Sequence, residues 1–144
     1  MAKDMNIGAL RTNCFRQSKV KGEYMLQMRV PAGLIEAKYL GFVQHLATTY
    51  GDGTFHFGSR QCFAIPGIKY ENIDKVNKEL KDYLEDIEVA QCGVDMDTSA
   101  GYPTIGARNI MACIGGIHCI KANINTQEIA KKIEKEVFPS HYHI

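Results

Sequence analysis

Apolar residues in this chain come in short runs cut by turn residues, and their period switches between that of a strand and that of a helix. Tyr24-Met-Leu-Gln-Met-Arg-Val30 suits a strand and stops at Pro31. Pro31-Ala-Gly33 reads as a turn, and a helix is predicted from about Leu34 to Tyr50. Its residues Ile35, Tyr39, Phe42, Val43, Leu46 and Tyr50 recur at helical spacing. Gly51-Asp-Gly53 ends it with strong turn chemistry. Thr54-Phe-His-Phe57 and Gln61-Cys-Phe-Ala-Ile65 read as one interrupted strand or two short ones, closed by Pro66-Gly67. A second helix is predicted from about Ile73 to Leu84, with Ile73, Val76, Leu80 and Leu84 on one stripe.

Residues 22–90 therefore spell strand–helix–strand–helix. The first strand and the one after its helix are expected to pair in parallel through a right-handed crossover. The fold class is α+β, a ferredoxin-like half-unit with helices on one face of a small sheet. Residues 1–19 are polar and mixed, with Cys14 their one expected anchor. Gln91 to Gly106 holds three glycines, one proline and little periodicity. It reads as a linker or ordered loop, dividing the chain into units 1–92 and 93–144. Asn125-Thr-Gln-Glu128 resembles a capping box with Asn in place of Ser or Thr. The helix it opens carries Ile129, Ile133 and Val137, and Pro139 stops it. Tyr142-His-Ile144 looks like the opening of a strand.

A chain of 144 residues holds one domain, or one and a piece of a second. The formal charge of +1 gives no bulk attraction to nucleic acid. No apolar run approaches the roughly 18 residues of a transmembrane helix. Met1 to Asn6 lacks the apolar core of a signal peptide, so a cytoplasmic protein that binds no membrane is expected. The five cysteines, at 14, 62, 92, 113 and 119, then read as reduced thiols rather than a disulfide framework.

Candidate chemistry concentrates in Cys113-Ile-Gly-Gly-Ile-His-Cys119. Two nearby thiols can supply half of a four-thiolate site for an iron–sulfur cluster or zinc. They can equally be small buried apolar residues, which cysteine commonly is. The five-residue gap leans toward iron–sulfur, since zinc more often uses two or four. Cys14, Cys62 and Cys92 are isolated and read as core or surface thiols. Arg29 closes a strand, Arg60 sits at a strand break, and Arg108 lies in the glycine-rich stretch before Cys113. The three either converge on an anionic pocket or are ordinary solvated charges. His45, His56, His118, His141 and His143 fit no clear ligand pattern. No nucleophile elbow, phosphate loop or dinucleotide fingerprint is present.

Taken together, these segments resemble the sirohaem-containing sulfite/nitrite reductases, in particular their single-repeat type. Met28-Arg-Val-Pro-Ala-Gly-Leu-Ile35 matches the family's Arg-x-Pro-x-Gly segment. Tyr50-Gly-Asp-Gly-Thr54 and Gly58-Ser-Arg-Gln61 match its Tyr-Gly-x-Gly and Thr-Arg-Gln segments, with Ser59 in place of the usual threonine. Ala107-Arg-Asn-Ile-Met-Ala-Cys113 matches the approach to its cluster motif. The segments follow in the family's order, from about Cys14 to Ile144.

The resemblance implies a ferredoxin-like half-domain followed by the start of a sirohaem and 4Fe–4S domain. It implies that Cys113 and Cys119 are the first pair of cluster ligands, with a second pair absent from this sequence. Arg29 and Arg108 would hold the substrate anion, and Arg60 and Asn109 would hold the carboxylates of sirohaem or order the pocket. The implied reaction is the six-electron reduction of sulfite to sulfide, with nitrite reduction as the alternative. Electron-donor subunits or a ferredoxin would be the partners. As a fragment lacking the second pair, the chain is expected to bind neither cofactor by itself and to self-associate through uncovered apolar surface. A cofactor-free module that docks onto another protein chain is the reading from a different class.

Overall fold

The computed structural model describes residues 15–84, 110–116 and 118–137. A four-stranded sheet is built from β1 (Phe15–Gln17), β2 (Glu23–Met28), β3 (His56–Phe57) and β4 (Phe63–Lys69), in the order β1-β2-β4-β3. Two helices, α1 (Lys38–Thr49) and α2 (Ile73–Leu84), follow β2 and β4 respectively, and a third, α3 (Thr126–Val137), belongs to the later segment. The α+β, ferredoxin-like architecture expected from the sequence is borne out.

The strand periodicity of β2 sets the inner face of the sheet. Tyr24, Leu26 and Met28 are buried while Glu23, Met25 and Gln27 alternate with them. They join Phe42, Val43 and Leu46 of α1, Phe63, Ile65 and Ile68 of β4, and Ile73, Val76 and Leu80 of α2 in one core. Full burial of such a side chain stabilises the fold by about 1.5–3 kcal/mol. Outside the core, Tyr50 donates to Glu79 at 2.5 Å and His45 Nε2 lies 2.9 Å from the same carboxylate, tying α1 to α2.

Several expectations need correction. The first strand and the strand after α1 do not pair in parallel. All pairings in the sheet are antiparallel, and β4 lies between β2 and β3. The reverse turn at 58–61, closed by Gln61 N–H to Gly58 O at 3.0 Å, folds β4 back along β3. The largely buried β4 then takes the central place, and the two exposed residues of β3 are left at the edge. Strands β2 and β3 do run in the same direction, but split by β4.

Pro66-Gly67 does not close the strand either. Two residues of β4 face one of β2 between the Tyr24–Ile68 and Leu26–Ile65 pairs, which is a bulge. Gly67 has φ of 79° and lies against Asp52, whose N–H bonds Pro66 O at 3.2 Å. The bulge thus carries the strand through the Pro-Gly pair and ties it to the end of α1.

The polar first stretch hides one anchor. Phe15 is 0% exposed and pairs with Leu26, giving an unpredicted strand. Cys14, the anchor expected there, lies outside the described residues, as do the expected linker, Cys92 and the Tyr142–Ile144 strand.

Helix α1 begins at Lys38, later than predicted, and is preceded by a short 3-10 turn at Pro31–Gly33 with Ala32 at φ 60° and Gly33 at φ 66°. Helix α3 is capped as predicted: Asn125 Oδ1 accepts from Glu128 N–H at 3.2 Å, and Asn125 Nδ2 reaches Glu128 Oε2 at 3.4 Å. Its buried residues are Ala130 and Glu134, while Ile129 and Ile133 of the expected stripe remain exposed.

Candidate functional site

Three segments distant in sequence meet at one place: the turn after β2, the turn between β3 and β4, and the loop that carries Cys113. Ala32 N–H donates to Ile110 O at 2.7 Å. The Gln61 carboxamide bonds Ala112 twice, Nε2 to O and Oε1 from N–H, both at 3.0 Å. It lies across Gly33, where a Cβ would come within 2.9 Å of its Cδ. Glycine at 33 therefore serves both the left-handed turn and this close approach.

The N-terminus of α3 joins the same junction. Gln127 Nε2 donates to Ala32 O at 3.2 Å and to Cys113 O at 2.9 Å. Thr126 Oγ1 also donates to Cys113 O at 3.0 Å, and its packing leaves no room for a Cβ at Gly115. The backbone carbonyl of Cys113 is thus held by two side chains, while its thiol is exposed and outside any disulfide, with Thr126 Oγ1 at 3.6 Å.

Arg29 emerges from β2 directly before this turn and is buried. Its Nη2 sits 2.8 Å and 3.0 Å from the two carboxylate oxygens of Glu134, a residue of α3 that is also buried. Burial raises the Glu134 carboxyl above its ordinary value, with the pull of Arg29 opposing. Removing charge from water at this depth costs several kcal/mol per ion, so each member of the pair depends on the other.

Of the residues singled out in the sequence, Arg29 and Cys113 are drawn to one junction. Arg60 is exposed on the turn beside Gln61, and Cys119 is a half-buried free thiol farther along the same loop. Arg108 and Asn109 lie outside the described residues. Cys62 is buried directly before β4, with Gln27 Nε2 at 3.8 Å from its sulfur, the core alternative of the two expected for it. His45 and His56 are exposed.

Beside Cys113 runs an open, apolar groove of about 330 Å³ lined by Ile110, Met111, Ile124, Ile129 and Ile133. Among the described residues, no three His, Cys, Asp or Glu side chains gather as a metal site. Cys113 and Cys119 carry free thiols, and thiolates are the ligand type that soft metals and iron–sulfur clusters take.

Little along the chain warned of Glu134, Gln127 or Thr126. All three act through contacts across 13 to 105 residues of chain, and no local pattern marks such pairing. Only Gln61 carried a signal, as the last residue of the Ser-Arg-Gln segment.

Residues 16–83 match the nitrite/sulfite reductase ferredoxin-like half domain. The whole chain is 44% identical to the anaerobic sulfite reductase C subunit of Salmonella typhimurium, over 43% of that protein's length. It is 27% identical to the sulfite reductase [NADPH] hemoprotein beta-component of Bacillus pumilus, over 81% of this chain and 18% of that one. A sulfite reductase [ferredoxin] of Synechococcus elongatus is 30% identical over 54% of this chain and 13% of its own. Residues 16–83 are thus a ferredoxin-like half domain of the nitrite/sulfite reductase family. The chain spans less than half the length of these relatives.

Proposed function

We propose that this chain is part of a cytoplasmic sulfite reductase that reduces sulfite to sulfide with six electrons at a sirohaem–4Fe–4S centre. The observation that supports this best is the junction itself. Three of the four segments that resemble the family's motifs lie apart in sequence, yet Gln61 and Ala32 bond two of them directly to the third.

In this reading Cys113 and Cys119 ligate the cluster, and the 93–144 unit is the beginning of the domain that holds both cofactors. The sirohaem and cluster, when bound, supply the electron transfer to the bound anion. The protein's own part is to hold and shield. Arg29 and Arg108 bind the substrate oxyanion, because guanidinium is always charged and offers several donors. Glu134 fixes the Arg29 guanidinium and shares its charge, so an anion there meets an oriented but partly neutralised cation. Arg60 and Asn109 hold sirohaem carboxylates. Thr126 and Gln127 fix the Cys113 backbone without touching its sulfur lone pairs strongly; Thr126 Oγ1 is 3.6 Å from the sulfur.

A form spanning the full length of the Salmonella relative, reconstituted anaerobically with iron, sulfide and sirohaem, tests the reaction. With a reduced viologen as donor, sulfide should form from sulfite at a higher kcat/KM than ammonia from nitrite. Preference for nitrite would make this a nitrite reductase of the same family, and no turnover of either would refute the proposal.

A docking role is favoured by the exposed apolar residues Met111, Ile124, Ile129 and Ile133 that line the groove. Electron-donor subunits or a ferredoxin are the partners proposed for the whole enzyme, and self-association is proposed for this chain alone. Light scattering across a concentration series should show mass rising with concentration; a constant monomer mass would contradict self-association.

A further inference from the structure

We infer that Gln61 is a positioning residue that sets the place of Cys113 relative to the arginine-bearing turn; this rests on the reading of Cys113 as a cluster ligand. Gln61 has φ of 57°, in the left-handed region that a side chain with a Cβ occupies only at a cost. That cost is met by an unusual contact. One carboxamide satisfies both the N–H and the C=O of Ala112, the residue before Cys113. The pairing copies one rung of a β-ladder with a side chain in place of a second strand.

The arrangement is specific in its surroundings. Gly33 leaves the space that the carboxamide crosses, and Gly58 leaves the space for Cys62 Sγ, which a Cβ there would meet at 2.5 Å. The reverse turn therefore closes tightly and aims Gln61 at the cysteine loop. On the other side, Gln127 bridges Ala32 O and Cys113 O. Two carboxamides thus clasp the loop from opposite neighbours. Gln61 joins it to the β3–β4 turn that carries Arg60, and Gln127 joins it to the turn after Arg29. A ligand sulfur held this way keeps its distance from both cation-bearing turns, and those distances contribute to the potential of a bound cluster.

Two substitutions separate the clasp from the backbone. Gln61→Gly removes the carboxamide and relieves the left-handed strain, so the fold is retained. Gln61→Glu still accepts from Ala112 N–H but, when ionised, cannot donate to Ala112 O. Hydrogen exchange read at the Ala112 amide of this chain should accelerate about tenfold in Gln61→Gly, as expected for loss of one hydrogen bond. It should also accelerate in Gln61→Glu, whose second carboxylate oxygen would be set against Ala112 O with no proton between them. In the reconstituted full-length form, Gln61→Gly should shift the cluster's midpoint potential and its paramagnetic resonance signal at unchanged iron content. Unchanged Ala112 exchange in Gln61→Gly would overturn the clasp. Faster exchange with an unchanged potential and signal would overturn its role toward Cys113. Failure of wild type to take up a cluster would fall on the functional reading instead, while Ala112 exchange would still decide the clasp.

Discussion

Glycines with positive φ in this fold are not equivalent, and the surroundings of each decide its worth. Gly22 has φ of 86° and open space where a Cβ would go, whereas at Gly67 a Cβ would lie 2.8 Å from Asp52 N. Gly22→Ala should cost only the left-handed penalty of about 1–2 kcal/mol. Gly67→Ala should add an overpacking cost of about 1–3 kcal/mol, since the obstacle is backbone. Urea unfolding of the two variants side by side checks the order. The buried carboxylate of Glu134 makes a different residue-scale prediction. Its folded value lies above the ordinary 4.5, so only between 4.5 and that raised value does the folded chain hold a proton there that the unfolded chain has released; above it the pair with Arg29 is ionised. This group's stabilising contribution is therefore complete below about 4.5 and is lost as pH rises through the raised folded value. Compared with Glu134→Gln, wild type should gain stability on acidification toward 4.5, read as the difference in Tm across a pH series. A difference that moves against wild type would contradict the assignment.

Helix α3 shows how an element can be legible in its N-terminal cap and misread in its face. Its cap followed from Asn125 and Glu128, because capping is local chemistry three residues apart. Asn125→Ala should cost about 1 kcal/mol, measurable by thermal unfolding. Its docking face was not legible, because Ile129 and Ile133 look like the natural core stripe while the helix actually docks through Ala130, Gln127 and the Arg29–Glu134 pair. Glu134→Ala should destabilise this docking by about 3–5 kcal/mol, the usual result of removing one partner of a buried ion pair. The expected signature is faster hydrogen exchange along 110–137 with the β2 and β4 amides protected; equal protection throughout would contradict it. Strand β1 escaped notice for the opposite reason. Three residues with a single apolar side chain, Phe15, carry no period to read.

At the scale of the whole molecule, the alternation of periods was enough to give the α+β class, but not the order of strands. Pairing direction depended on a four-residue turn around Gly58 and on the bulge at Pro66-Gly67, where short-range turn chemistry reads the same whether a strand stops or bends. The candidate site was legible as motifs, in Arg29, Arg60 and Cys113, and illegible as a mechanism of assembly, since the side chains that join those motifs sit on other elements. That assembly supports the central claim: the junction presents the Cys113 thiol as a ligand, not as a core thiol like Cys62. Iron and sirohaem per chain, measured by metal analysis and absorption after anaerobic reconstitution of the full-length form, test this most directly. Cys113→Ser should abolish cluster uptake, and Cys62→Ser should stay near wild type. Full iron and an unaltered spectrum in Cys113→Ser would contradict the account.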